Sequence, residues 1–239
     1  MIFQRRGPEL LAVMQPHHAR LAGIFAEAWG DRPAPSLVAA THHHDDGWIA
    51  WEKAPTVDAQ GRPHDFLTIP MDERVAVYRR GIDLLAPTDL YAGLLTSLHF
   101  GRLLAGGLGP LHGDARHRAE AFLAEQATWQ ADARRRIDQE PAAIEADYEL
   151  LRTVDYLSLL LCMRPLDEID GTSVGPTTIQ VEGGRVTLDP YLFEIDGLAV
   201  SVPVRVLAKT TFGDDETYRS ALAVAPVEEL TWRLSRPRR

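Results

Sequence analysis

The residues best suited to chemistry in this sequence lie in one stretch, Thr41 to Trp48, with the sequence THHHDDGW. Three imidazoles are followed there directly by two carboxylates. Neighbouring residues on a helix lie about 100° apart, which is close enough for two adjacent side chains to bind one divalent ion. The stretch is therefore a candidate metal site.

This stretch is predicted to occupy the second half of a helix over residues 36–51. Apolar residues recur there at the spacing of one helix face, which carries His44, while a neighbouring stripe carries Asp45. Both side chains are therefore predicted to point inward, and His42 and His43 are expected to face solvent. Burying a polar group without a partner costs on the order of 2–7 kcal/mol. An inward-facing Asp45 therefore implies a cation, or a lysine or arginine partner.

Two more residues on other helices could complete such a site. His18 follows Pro16, which suits a helix start, and it shares a face with apolar residues. A buried histidine can also simply hydrogen-bond to a carbonyl, so His18 alone does not establish a ligand. Asp155 lies in the most apolar predicted helix, over 141–163, where a carboxylate needs a partner.

Asp46 and His99 are the candidate catalytic residues, because each could move a proton near a metal. Asp46 directly follows the candidate ligands. His99 lies among leucines in a helix predicted over 89–104, where an imidazole must find a partner or forgo its hydrogen bonds.

Arg79, Arg80 and His64 are the candidate substrate-binding residues. The arginines lie beside the apolar face of a helix predicted over 71–85, and a guanidinium can bind a phosphate through two hydrogen bonds. The competing interpretation is a solvated helix flank. His64 lies in a long irregular segment, 54–70, which could cover the site; the alternative is a solvent-facing loop position.

The composition is that of an ordinary globular protein, with 25% charged and 45% hydrophobic residues. A net charge of −9 argues against a nucleic-acid partner that is bound by neutralising phosphates. The single cysteine, Cys162, excludes a disulfide framework and a multi-cysteine metal site. No signal peptide and no run of 18 apolar residues is visible, so a cytoplasmic protein without a membrane partner is predicted.

The periodicities predict an α+β protein that is mainly α. Residues 1–15 form an N-terminal β hairpin that joins the C-terminal sheet, and residues 16–165 form the helical metal-binding core. Residues 166–239 are predicted to be an antiparallel β region, because Gly183-Gly184 is typical of a hairpin turn and residues 198–206 alternate strictly.

The order of the candidate ligands, H…HD…D, resembles that of the HD-domain superfamily of helical metal-dependent phosphohydrolases. The resemblance implies an HD-domain-like helical bundle with a small antiparallel sheet formed from the N- and C-terminal segments. It also implies that His18, His44, Asp45 and Asp155 bind a divalent ion, which could be Mn, Fe, Zn or Mg. The lysine that many of those enzymes carry soon after the His-Asp pair has only Lys53 as a late counterpart here.

At closer range the chain resembles an uncharacterised bacterial family with three specific motifs. A QPxHAxLAG motif corresponds to Gln15–Gly23, an HDDGW motif to His44–Trp48, and a DxLSL motif to Asp155–Leu159. The resemblance spans nearly the whole chain, but this family has no function to transfer.

Three functions follow as expectations. The first is a metal-dependent hydrolase that cleaves a phosphate ester or nucleotide-like small molecule through a metal-activated water. The second is an HD-type dinuclear iron oxygenase, in which His64 and His99 would supply extra ligands. The third is a non-catalytic binding module stabilised by a metal.

Overall fold

The computed structural model describes residues 1–30 and 32–237, in which helices pack against one large sheet. In chain order the elements are β1 (Ile2–Arg6), β2 (Glu9–Val13), α1 (Gln15–Glu27), α2 (Pro35–His43), α3 (Trp48–Trp51), α4 (Met71–Leu85), α5 (Leu90–Gly106), α6 (Gly113–Arg136), α7 (Pro141–Met163), β3 (Ser173–Val174), β4 (Thr177–Glu182), β5 (Arg185–Asp189), β6 (Leu198–Leu207), α8 (Asp215–Val224) and β7 (Val227–Ser235). A short 3-10 helix, Leu166–Glu168, follows α7. Within the two described ranges, no helix is both long and apolar enough to span a membrane.

Local sequence signals set the starts of the helices that carry the candidate site. Pro16 and Pro141 lie in the first turns of α1 and α7, where a missing N–H costs no helical hydrogen bond. The side chain of Asp89 caps α5 by accepting a hydrogen bond from the backbone N–H of Ala92 at 2.9 Å. These starts fix the registers of α1, α5 and α7.

The sheet differs from the predicted one. Its seven strands lie in the order β1-β2-β6-β7-β5-β4-β3, and β7 pairs in parallel with β5, whereas the other neighbours are antiparallel. The predicted HD-domain-like helical bundle with a small antiparallel sheet is therefore wrong. The physical reason is that β7 inserts between β5 and β6, which merges the strands from both chain ends into one large mixed sheet.

Helices α1 and α7 share a hydrophobic core with the sheet. Val200, Val202 and Val204 alternate along β6 as the sequence predicts, and their buried side chains join Phe25 of α1 and Leu157 of α7. The terminal hairpin of β1 and β2 extends the same sheet through β6. The packing of α1 and α7 thus depends on the sheet beneath them.

The single helix predicted over 36–51 is interrupted. α2 ends at His43, α3 begins at Trp48, and the residues between them form a turn. In this turn Asp46 N–H donates to the His43 carbonyl and Trp48 N–H to the Asp45 carbonyl, each at 3.0 Å. These bonds reach three residues back instead of four, so the chain is wound more tightly than in an α-helix.

Two glycines explain how α4 can pass close to this turn. A Cβ atom on Gly47 would overlap the carbonyl oxygen of Val77 in α4, and one on Gly81 would lie 3.0 Å from the His44 carbonyl oxygen. Only residues without side chains allow this approach. The turn that carries His44 is therefore held directly against α4.

Gly47→Ala should lower the free energy of unfolding by about 1–3 kcal/mol, because the added methyl group must displace the backbone of α4. Chemical denaturation measures this change. Gly106→Ala is the matched control, since Gly106 has no atom within 4 Å of an added Cβ and alanine favours a helix by up to about 1 kcal/mol. Equal stability of the two variants would contradict the close approach.

Candidate metal centre

The four predicted metal ligands converge from three parts of the fold. His18 comes from α1, His44 and Asp45 from the turn after α2, and Asp155 from α7. The Nε2 atom of His44 lies 3.1 Å from Asp155 Oδ1 and 3.6 Å from Asp45 Oδ2. The Nε2 atom of His18 lies 3.3 Å from Asp155 Oδ1 and 3.2 Å from Asp45 Oδ2. All four residues are buried.

These separations suit one small divalent ion. With metal–ligand bonds of about 2.1 Å, adjacent donor atoms lie about 3.0 Å apart in an octahedron and about 3.4 Å apart in a tetrahedron. His18, His44 and Asp155 each offer one ligand atom, and these atoms lie within 4.8 Å of one another. Asp45 contacts both imidazoles through Oδ2 and is the fourth candidate ligand.

Both imidazoles are oriented by hydrogen bonds at the ring nitrogen that faces away from the carboxylates. His44 Nδ1 donates to the Thr41 carbonyl at 3.0 Å. His18 Nδ1 lies 2.7 Å from Ser158 Oγ, and the Ser158 hydroxyl itself donates to the Asp155 carbonyl. Ser158 therefore accepts from His18, and both Nε2 atoms are the ones left for a metal. Such outer hydrogen bonds are usual around metal-binding histidines.

The electrostatics of the cluster also favour a cation. Burial would raise the pKa of Asp155, but attraction to His99 and His44 and the hydrogen bond from His44 hold that pKa well below its usual range. Burial acts on Asp45 in the same way and is likewise outweighed by His44 and His18, so the pKa of Asp45 is lowered. Two ionised carboxylates thus lie buried together, and the ion pairs of the described residues bring only histidines to them. A divalent ion would balance both.

His44 carries the proton that such an ion would replace. Burial alone would lower the pKa of His44, but attraction to Asp45 and the hydrogen bond to Asp155 outweigh it and raise the pKa to about 9. Without an ion, the Nε2–H group of His44 therefore donates to Asp155. A ligand histidine must be neutral, so binding of an ion at Nε2 releases this proton.

His99 lies beside the four ligands. Its Nε2 atom is 3.7 Å from Asp155 Oδ2, and its ring packs against that of His44 with centroids 5.2 Å apart. Burial lowers the pKa of His99 to about 4, so the ring is neutral at pH 7. Its Nδ1 atom is buried and has no hydrogen-bond partner in the part of the chain that the structure describes.

A small cavity of about 60 Å³ opens onto the cluster. Three candidate ligands, His18, Asp45 and Asp155, line it together with His99. The rest of the wall is mostly apolar and aromatic, and consists of Gln15, Trp48, Phe66, Tyr78, Phe100, Leu103 and Leu159. One water needs roughly 10–15 Å³ of such volume, so the cavity has room for about four waters or a molecular fragment of similar size.

Several residues predicted for catalysis or substrate binding lie elsewhere. The tight turn directs Asp46 away from the cavity, where its Oδ2 atom accepts a hydrogen bond from His43 Nδ1 at 2.7 Å. Arg79 faces α6, where both its Nε and Nη2 atoms donate to the carboxylate of Glu125. Arg80 is exposed. None of these three residues lines the cavity.

His64 and the first two histidines of the run also lie outside the cluster. The backbone N–H of His64 donates to the Thr56 carbonyl within the 54–70 segment, and His64 does not line the cavity. His42 Nε2 lies 3.0 Å from Glu27 Oε1, and His43 pairs with Asp46. The structure thus separates the run of three histidines into one buried residue and two outer ones.

Three residues at the centre were not predicted to have a role: Ser158, Gln15 and Tyr78. Ser158 lies three residues after Asp155, and Gln15 lies three residues before His18, so each shares a helix face with a ligand. That spacing is a signal that could have identified both. The sequence identified Tyr78 only as a member of the apolar face of α4.

Comparison with known proteins identifies a family but no activity. The family described as "Protein of unknown function (DUF3891)" matches residues 1–209, a span that contains every candidate ligand. The chain therefore belongs to this family, and the expectation of an uncharacterised family is confirmed. No curated protein and no solved structure matches the chain.

The protein should bind one divalent ion per chain, and Asp155→Asn should lose it, because the substitution removes one of the two charges that balance the ion. Metal analysis after dialysis of untagged protein against Mn, Fe, Zn or Mg measures this. His43→Ala is the control. The imidazole of His43 lies outside the centre, so its removal should leave the metal content unchanged. Equal metal content in Asp155→Asn and the parent protein would refute the ligand assignment.

Ser158→Ala should weaken metal binding by about 10–100-fold, because His18 loses the group that orients its ring. A competition titration with a coloured chelator gives the affinity. Ser201→Ala, on the exposed side of β6, is the control and should bind like the parent protein. An unchanged affinity in Ser158→Ala would mean that α1 packing alone orients His18.

Proposed function

We propose that this member of the DUF3891 family is a metal-dependent hydrolase in which His18, His44, Asp45 and Asp155 bind one divalent ion. The observation that carries the proposal is the orientation of the two imidazoles, whose Nε2 atoms face two ionised carboxylates at the wall of a cavity. The mixed nitrogen and oxygen donors suit Mn, Fe or Zn better than Mg, which prefers oxygen ligands.

The ligand order gives the proposal its second support. The order His18, His44-Asp45, Asp155 resembles that of the HD-domain metal-dependent phosphohydrolases. The fold lends no support to that comparison, so only the ligand order and the type of donor carry over. Metal-assisted hydrolysis is the chemistry for which such a set of ligands is suited.

The residues around the ion would orient its ligands, transfer a proton and exclude water. A divalent ion held there would lower the pKa of a bound water and polarise the bond to be cleaved. Thr41 and Ser158 hold the ligand histidines in their orientations. His99 is neutral, lines the cavity and lies 3.7 Å from Asp155, so its imidazole can accept a proton from an attacking water. Trp48 and Phe100 form apolar walls that limit the entry of other water.

The alternative of a dinuclear iron oxygenase needs ligands that the geometry does not bring together. His99 lies close enough to Asp155 to approach a second ion, but His64 stays in its loop outside the cavity. A second ion would therefore lack donors among the described residues. The arrangement favours one ion per chain, and turnover separates an enzyme from the third possibility, a metal-stabilised binding module.

Hydrolysis of chromogenic esters tests the proposal. Metal-loaded protein should cleave at least one of p-nitrophenyl acetate, p-nitrophenyl phosphate and bis-p-nitrophenyl phosphate, and His44→Ala should abolish the activity. His99→Ala should lower turnover by about 10²–10⁴-fold, the usual contribution of a proton-transfer group, while metal content stays unchanged.

Asp46→Asn is the matched control, because Asp46 directly follows a ligand in sequence but faces His43 instead of the cavity. It should keep near-parental turnover. Bound metal without turnover on any of the three esters would favour the binding module. Loss of half the metal in His99→Ala, from two ions per chain, would favour the dinuclear oxygenase.

A further inference from the structure

We infer that the molecule that reaches this centre is small and uncharged, with a hydrogen-bonding head recognised by Gln15 and an apolar remainder. The inference rests on the proposed metal centre and specifies its substrate class. It replaces the phosphate ester expected from the sequence, because the cavity differs in charge, size and polarity from a phosphate site.

The charge balance of the loaded centre disfavours an anionic substrate. The two positive charges of a divalent ion are cancelled by the carboxylates of Asp45 and Asp155, so the centre is neutral when the histidines are neutral. A phosphate site normally adds arginine or lysine to bind the anion. Among the residues that the structure describes, no arginine or lysine lines this cavity, and Arg79, a candidate from the sequence, pairs with Glu125. An anion would therefore lose its hydration without gaining a cationic partner.

The size of the cavity sets a second limit. Its volume of about 60 Å³ accommodates a head group of only a few non-hydrogen atoms, such as a carboxamide or a carboxylic ester. A larger substrate must leave its remainder at the mouth. Leu103 marks that mouth, because it lines the cavity and yet is 51% exposed.

Gln15 supplies the recognition group. It is only 3% exposed, and its Oε1 atom has no hydrogen-bond partner among the residues that the structure describes. Its backbone N–H donates to Glu52 at 2.9 Å, which fixes the start of α1 and hence the position of the side chain. A side-chain amide offers both an acceptor and donors, so it complements a neutral head that carries the same two functions.

The remaining walls suit an apolar group. Tyr78 and Phe100 stack face to face with ring centroids 4.1 Å apart, and Phe66 and Leu159 also line the cavity. Burial raises the pKa of Tyr78 to about 12, which keeps its hydroxyl neutral. Cavities that are mostly apolar with a few polar groups are typical of sites for small organic molecules.

Two probes with the same number of non-hydrogen atoms but different charge test the inference: propionamide and inorganic phosphate. Both are titrated into cobalt-loaded protein at pH 7, and binding is followed by the visible spectrum of the bound cobalt, with cobalt content checked after each titration. The parent protein should bind propionamide at least about tenfold more tightly than phosphate. Gln15→Leu should weaken propionamide binding about tenfold, as expected for loss of one good hydrogen bond, whereas Gln130→Leu, which replaces a glutamine outside the cavity, should not change it.

A gain of binding gives the sharper test. Leu103→Arg places a cation at the mouth and should tighten phosphate binding at least about fivefold. Leu84→Arg is the matched control, because Leu84 is 54% exposed but lies outside the cavity, and it changes the net charge equally.

The outcomes separate the two proposals. Phosphate binding as tight as that of propionamide in the parent protein, or equal effects of Leu103→Arg and Leu84→Arg, would overturn the inference. A selective response to propionamide in a protein that cleaves no ester would support the inference and refute the hydrolase. Failure to bind cobalt would refute both.

Discussion

The structure depends on how two buried carboxylates, Asp45 and Asp155, are compensated. Ionised groups are stable away from water only when they are paired and hydrogen-bonded. Here imidazoles surround both carboxylates, and His44 bridges them through a proton that a metal ion can replace. This arrangement holds together three segments that are far apart in sequence. The histidines that would bind an ion therefore also compensate the charge of the two carboxylates when no ion is bound, and the fold needs that compensation to form.

The sheet contributes no candidate ligand, yet it determines where the ligands lie. α1 and α7 pack on one face of the sheet, through the core that Phe25 and Leu157 share with the valines of β6. His18 lies on α1 and Ser158 lies on α7. Their 2.7 Å hydrogen bond therefore depends on the distance between these two helices, which is set by their packing on the sheet. On the other side of the cluster, the glycine contact between the turn and α4 fixes His44. The candidate metal centre therefore lies between helices α1 and α7, which pack on the sheet, and the turn that packs against α4.

The candidate ligands could be identified from the sequence because burial leaves a periodic signal. His18, His44, Asp45 and Asp155 were each recognisable as polar residues on apolar helix faces, where an uncompensated group would be costly. The sheet order was not predictable in this way, because alternation along β6 or β7 shows which residues are buried but not which strand lies beside them. The directions of the Asp46 and Arg79 side chains were not predictable in this way either. For Asp46, the reason is that a helical wheel treats residues 36–51 as one continuous helix, whereas backbone contact at Gly47 tightens the turn. For Arg79, the reason is that nothing in the local sequence indicates its pairing with Glu125.

His99 shows how the charge balance of the centre connects to its chemistry. An imidazole that neutralised the carboxylates would have to be protonated and would then be unable to accept a proton. His44 takes that part, because it lies against both Asp45 and Asp155, while His99 lies farther from them and is kept neutral by burial. The buried Nδ1 atom of His99 has no hydrogen-bond partner among the described residues, which is costly to the fold. Such a cost persists when the group serves a purpose other than stability, and in the proposed hydrolase that purpose is proton transfer to or from a bound molecule.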